Sequence, residues 1–298
     1  MLSQNEIAAV VQQVLSRMNG APAAPSVPAA NQAVPAPAPF SSTSEAPISD
    51  ITARDLKSFY AVDHPKDREA FMQLRDKTPA RLGIGHCGSR HTTASMLRFL
   101  CDHAAAQDTV FSDVPKEFLK ELNLPFYQTT CSDRDEFLTR PDKGRVFSDE
   151  TIAKIKQNVP SGLDVVVYVA DGLSSNAVLH NARDILPVIT DGLKSYGVKC
   201  NDPFFVQYGR VGTMDHLGDA LKPQVVCVLL GERPGLVTSQ SMSAYIAYKP
   251  FIGISEGKRT VLSNIHAGGT PTVEAGAHIV GLIRMMLEKK VSGVDLVI

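Results

Sequence analysis

A chain of 298 residues with a net charge of −1 at pH 7 has room for one large domain or two small ones and no broad basic face to hold nucleic acid. No apolar run approaches the roughly 20 residues of a membrane span, so no membrane partner is expected. The five cysteines, Cys87, Cys101, Cys131, Cys200 and Cys227, are dispersed without a C-x-x-C pair, which argues against a disulfide frame or zinc site. Such an odd, scattered set points to reduced thiols in a cytoplasmic chain.

The first residues lack the basic-then-apolar layout of a secretory leader. Residues 2–18 instead read as a small amphipathic helix. Ser3 can cap it with Glu6 three residues on, and Ile7, Val10, Val11, Val14, Leu15 and Met18 form one apolar stripe. Gly20 stops it. From Ala21 to Pro47 the chain is mostly Ala and Pro, with Glu45 its single charge, and is expected to be an extended tether. An isolated helix of this length is marginal in water. Its stripe needs a partner, and the tether favours one outside its own domain, by helix-in-groove docking.

Residues 48–110 are expected to form a small helical subdomain, with helical patterns over Asp50–Leu56, Pro65–Leu74 and Thr92–Ala105. Between them lies Gly83-Ile-Gly85-His-Cys-Gly88, a literal G-x-G-x-x-G. A dinucleotide site needs a strand before that motif and an acidic residue about 20 positions on. Pro79 leaves only a stub of strand and Asp102 comes early, so a turn with close backbone approach is the stronger expectation.

Residues 111–298 alternate strand and helix. Val114–Leu122 reads as a helix, Leu138–Arg145 as a charged loop, and Ser148 caps a helix through Val159. Strands are expected at Val165–Ala170, Phe204–Tyr208, Val225–Leu230 and near Phe251–Ile254. The intervening helices run to Tyr196 with Pro187 kinking or dividing them, near Asp215–Leu221, and near Ser241–Tyr248. A last helix has Thr270 as N-cap and Pro271 at its first position, and runs to about Lys290. The fold class is therefore α/β, a Rossmann-like doubly wound and mostly parallel sheet, preceded by the helical subdomain and the tethered N-terminal helix.

Val225–Leu230 is apolar throughout and rich in β-branched residues, the pattern of a strand buried on both faces. It stops at Gly231-Glu232-Arg233-Pro234-Gly235. Parallel sheets place ligands at the carboxyl ends of their strands. Asp171-Gly172-Leu173-Ser174 and Tyr208-Gly209-Arg210-Val211 are expected on the same rim, joined by the loop Asn264-Ile-His266-Ala-Gly-Gly-Thr270. Catalytic signals are weak. Ser174 has no G-x-S-x-G elbow, His266 has no nearby carboxylate, and nothing fixes the separation of Asp171 and Glu232 as an acid/base pair. The histidines show no metal-ligand spacing. No catalytic or metal residue is assigned, and the chain looks suited to holding part of a large ligand.

The ordered set "DGLSSNA", "PFFVQYGRV", "GERPGL" and "SNIHAGGTP", with "LTRPDKGR" and the "HTTASMLRFL" helix, closely resembles the small subunit family of ethanolamine ammonia-lyase. The likeness runs from about residue 50 to the end. The N-terminal helix and tether resemble that family's extension, which implies packaging into a bacterial ethanolamine-utilisation microcompartment through contact with its shell. The resemblance implies a heteromeric, adenosylcobalamin-dependent lyase that converts ethanolamine to acetaldehyde and ammonia by radical chemistry. The substrate site would lie in the TIM barrel of a large subunit, and this chain would close over the cobalamin at the interface. Carried over by position, its cofactor contacts fall on Val211, Glu232 and Val261, the last through its backbone; Arg233 is read as structural, paired with a neighbouring carboxylate. Asp215-His216-Leu217-Gly218 departs from the D-x-H-x-x-G spacing that places a protein histidine on cobalt, so the cofactor is expected to keep its own base. The alternatives are a nicotinamide-dependent oxidoreductase using Gly83–Gly88 and a non-catalytic cargo adaptor.

Overall fold

The computed structural model describes residues 50–297. The expected helix at 2–18 and tether at 21–47 lie outside the described residues. Asp50–Ile298 form one compact unit, which includes the helical segment at its start.

That segment contains a 3-10 turn, Ile51–Ala53, helix α1, Arg68–Arg75, a hairpin of β1, His86–Cys87, with β2, Arg90–His91, and the long helix α2, Thr93–Phe111. Asp67 caps α1 by accepting from the Ala70 amide at 2.9 Å. Helices α3, Lys116–Glu121, α4, Arg134–Thr139, and α5, Asp149–Asn158, follow, with β3, Phe126–Gln128, between the first two. Ser148 caps α5 as expected, accepting from Thr151 N–H at 3.2 Å. Then come β4, Val165–Ala170; α6, Ser175–Ser195; β5, Phe204–Gln207; α7, Thr213–Leu221; β6, Val225–Gly231; β7, Met242–Tyr248; β8, Arg259–Ile265; and α8, Thr272–Lys289.

The main sheet has six strands in the order β3-β5-β4-β6-β7-β8. The first four are mutually parallel, and β7 is antiparallel to both its neighbours, so the sheet is mixed. Strands β4 and β6 are solid Val/Leu runs because both their faces are covered. Val165, Val167 and Val169 point with Val225, Cys227 and Leu229 into a core shared with Ile185 and Ile189 of α6 and Ile279 and Ile283 of α8. Val166, Tyr168 and Ala170 point with Val226, Val228 and Leu230 to the opposite core, against Ile152 and Ile155 of α5 and Met214 and Leu217 of α7. Each fully buried aliphatic side chain of this kind contributes roughly 1.5–3 kcal/mol.

The segment expected to be a helix near Ser241–Tyr248 is strand β7. Its spacing of Met242, Tyr245 and Ile246 is helical, but β6 needs a partner on that side: Gly231 to Val225 pair with Met242 to Tyr248, which sends Met242 and Ile246 to one core and Tyr245 to the other. The expected strand at Phe251–Ile254 is a turn, with Gly253 at φ +93°. Strands β3 and β8 were not expected. Pro187 lies inside α6 without dividing it, and the helix buries Ile185, Ile189 and Leu193 on both sides of the proline. Helix α8 begins one residue later than expected, with Pro271 in the N-cap position.

The G-x-G-x-x-G segment is a hairpin, not a strand-to-helix phosphate turn. A Cβ on Gly83 would come within 3.0 Å of Phe71, and one on Gly85 within 3.0 Å of Ala61, so these glycines serve close packing. This geometry removes the structural basis for nicotinamide binding there.

Candidate functional site at the strand-end rim

The ladder places the four predicted turns on one edge. Ala170, the last residue of β4, pairs with Leu230 of β6 and Val206 of β5. Met242, at the start of β7, pairs with both Gly231 and Ile265, so the end of β8 lies on the same edge as the end of β6, one strand away. Asp171, Tyr208, Glu232 and His266 each lie within two residues of these strand ends.

Two of the turns stack backbone on backbone. Gly172, at φ +54°, faces the Gly231 carbonyl so closely that a Cβ would lie under 3.0 Å from it. A Cβ on Gly231 would be equally close to the carbonyls of Asp171 and Ser174. Only glycine allows this approach, so the two turns close on each other backbone to backbone and both glycines are buried. The loop after β6 is tied down by Ser174 Oγ donating to Ser239 O at 2.5 Å, and by Asn181 Nδ2 donating to Gln240 O at 2.7 Å.

Under the rim lies a buried polar network. Arg134 Nη2 donates to Asp171 Oδ2 at 3.0 Å and to Asp113 Oδ1 at 2.6 Å, and Nη1 donates to Gly172 O at 3.1 Å. The Gly209 amide donates to Asp171 Oδ1 at 3.2 Å. Tyr208, at φ +56°, places its ring 4.8 Å from the Arg134 guanidinium. Burial raises the Asp171 carboxyl to about 6, against the opposing pull of Arg134 and the backbone amides. Asp171 is fully buried and fully committed, so it is not half of an acid/base pair with Glu232.

Glu232 is half-buried, and its Oε1 accepts from Tyr245 Oη at 2.8 Å. Burial, with the Glu232 carboxylate, raises the Tyr245 hydroxyl well above its ordinary value, so it remains a donor. Val261 lies directly across the ladder from Tyr245 and is exposed. Val211 and Tyr245 are both partly buried against the core of Val226, Val228 and Leu230. Glu232, Val261 and Val211 are therefore connected through one face of the sheet. Tyr245 was missed because its segment carried no strand signal.

Most of the remaining candidates have structural partners. Ser174 caps α6 by accepting from Ala177 N–H at 3.0 Å. His266 Nε2 meets Asn264 Oδ1 at 2.8 Å, and its Nδ1 accepts from Gly268 N–H at 3.1 Å. His216 Nδ1 accepts from the Phe147 amide at 2.9 Å, and Asp215 holds Arg259 through bonds of 2.8 and 3.0 Å. Arg233 is exposed and, among the described residues, has no carboxylate partner, contrary to the structural pairing expected for it. No group of three or more His, Cys, Asp or Glu suited to a metal ion occurs among the described residues.

These elements define an α/β protein built on a mixed six-stranded sheet, with polar turns at its strand ends. The family model described as "Ethanolamine ammonia-lyase light chain (EutC)" matches residues 68–297. The chain is 57% identical over 249 residues to an ethanolamine ammonia-lyase small subunit of Clostridioides difficile strain 630, covering 84% of this chain and 85% of that one. It is 47% identical over 296 residues to the small subunits of Clostridium tetani and Listeria monocytogenes, covering 99% of this chain and 99% and 100% of theirs. The chain belongs to the ethanolamine ammonia-lyase light chain family.

Proposed function

We propose that this chain is the small subunit of a heteromeric ethanolamine ammonia-lyase and holds one side of adenosylcobalamin where it meets the large subunit. The carrying observation is that Glu232, Tyr245, Val261 and Val211 share one face of the sheet. The residues suit the group. Glu232 Oε2 has no hydrogen-bond donor among the described residues, and a corrin ring carries amide side chains that donate N–H groups. Val261 offers an exposed strand position across from Tyr245 on the same face. When bound, the cofactor supplies a radical that takes hydrogen from ethanolamine, in the barrel of the large subunit. This chain's residues orient the cofactor and exclude water around it; they do not touch the reacting carbon. The strand order and the helices on both faces support the Rossmann-like reading of the sheet.

Titrating adenosylcobalamin into the two-subunit complex tests this reading. A hydrogen bond to a charged group contributes about 1.5–3 kcal/mol. Glu232→Gln keeps the shape and one acceptor, so its dissociation constant should rise about tenfold. Turnover at saturating cofactor should change less. An unchanged constant would show that Glu232 only anchors Tyr245.

The same proposal places the enzyme in an ethanolamine-utilisation microcompartment in the cytoplasm, through residues 1–20. Its support is the sequence pattern of an apolar stripe on a long tether. Deleting residues 1–20 should leave the complex active and abolish its co-fractionation with shells. Shell-bound activity from the truncated enzyme would reject the role.

A further inference from the structure

The charged loop before α5 and the turn after β5 interlock. The Arg210 amide donates to Gly144 O at 2.8 Å. A Cβ on Gly144 would lie 3.1 Å from Arg210 Cγ, and one on Gly212 would lie 2.9 Å from Arg145 Cγ. The side chains of Arg145 and Arg210 thus start on either side of Val211. The neighbouring cations and acids are already matched: Arg140 pairs with Asp142 at 2.9 Å, and Lys143 pairs with Glu136. Neither Arg145 nor Arg210 has a carboxylate partner among the described residues. Arg210 gives Nη2 to Phe137 O at 2.6 Å and lies 4.5 Å over the Phe137 ring, while its Nε is buried without a partner.

Two guanidiniums carried on interlocked loops, neither able to shed its proton, repel each other, and an anion between them relieves that repulsion. Burial, and then Arg145, hold the Arg210 guanidinium below its ordinary value, in line with that unrelieved repulsion. We propose that Arg145 and Arg210 form an oxyanion subsite beside Val211, and that its occupant is the phosphodiester in the nucleotide loop of the bound cobalamin. The assignment rests on the cofactor reading above. Free inorganic phosphate presents the same chemistry and is separated by the test.

The experiment uses the assembled two-subunit complex. It compares binding of adenosylcobinamide phosphate with adenosylcobinamide, which has the same corrin and no phosphate, alongside adenosylcobalamin. The wild-type complex should prefer the phosphorylated ligand by about tenfold or more, the scale of charge-assisted hydrogen bonds. Inorganic phosphate should compete with that ligand only weakly. Arg145 is exposed, so Arg145→Met should fold normally, lose most of that preference and keep its affinity for adenosylcobinamide. Arg210→Lys, which keeps the charge but not the fork, should lose part of it. The subsite is overturned, with the cofactor reading intact, if adenosylcobalamin binds but the wild type does not discriminate, or if Arg145→Met discriminates as well as the wild type. Full competition by inorganic phosphate alone would make the site a free-phosphate site and overturn the assigned occupant. Failure of Arg145→Met to assemble would make Arg145 a subunit contact and overturn it too. A wild-type complex that binds no corrinoid would overturn both readings together.

Discussion

Replacing Gly231 by Ala should destabilise the folded enzyme by about 3 kcal/mol or more, the upper end of the cost of overpacking. The reason is position, since Gly231 is the last residue of β6, where the Asp171 turn and the Ser174 carbonyl lie against its Cα. An added Cβ would meet two backbone carbonyls under 3.0 Å away, and neither belongs to a side chain that can rotate aside. Relief requires the β4 and β6 turns to separate. That shift would displace Glu232, the next residue, so the affinity for adenosylcobalamin should fall as well. Gly235→Ala is the control, because its nearest neighbour would be Thr238 O at 3.9 Å, and its stability should stay within about 0.5 kcal/mol of wild type. Urea unfolding of the two variants in the assembled complex measures the contrast. Equal midpoints would show that the rim is not packed backbone to backbone.

What could be read in advance followed from local patterns. Val165–Ala170 and Val225–Leu230 announce themselves because a strand covered on both faces has no polar positions. Ser148 caps its helix because capping is decided within four residues. The four turns of the rim were likewise legible, since a polar turn after an apolar strand is a local signal. The misread elements owe their form to distant partners. Met242–Tyr248 mixes small and aromatic residues and becomes a strand because β6 lies beside it. Arg259–Ile265 is a half-exposed edge strand, so its apolar alternation is broken by Ser263 and Asn264. The buried ion pair was invisible for the same reason: Arg134 and Asp171 are 37 positions apart, and neither carries a local signature. Tyr245, the donor to Glu232, could be found only once the ladder brought the two strands together.

That ion pair gives the second large effect. Arg134→Met should destabilise the protein by about 3–5 kcal/mol at neutral pH, because it strands the fully buried Asp171 without its counter-charge. The dependence on pH distinguishes this from simple loss of packing. Burial has already raised Asp171 to about 6 from its ordinary 3.8, so the folded state binds its proton more tightly than the unfolded chain. The stability this group contributes is fully present below about pH 4 and is lost as pH rises through about 6, since the folded state holds more protons in that window. Removing Arg134 removes the main attraction that opposes burial and moves the carboxyl higher still. The deficit of Arg134→Met should therefore be small near pH 4, where Asp171 is neutral in both proteins, and should grow above about pH 6. Asp113, the other partner of Arg134, is half-exposed at 48% and can be solvated, so it adds little to the trend. Asp171→Asn should flatten the wild-type slope between about pH 4 and 6 while keeping an acceptor for the Gly209 amide. Because that amide fixes the turn carrying Arg210 and Val211, Arg134→Met should also weaken adenosylcobalamin binding, and Asp171→Asn should weaken it less. Urea midpoints of each variant near pH 4 and pH 7.5 decide the matter. A deficit of the same size at both would mean that Arg134 stabilises the rim by contact alone and that Asp171 carries no charge there.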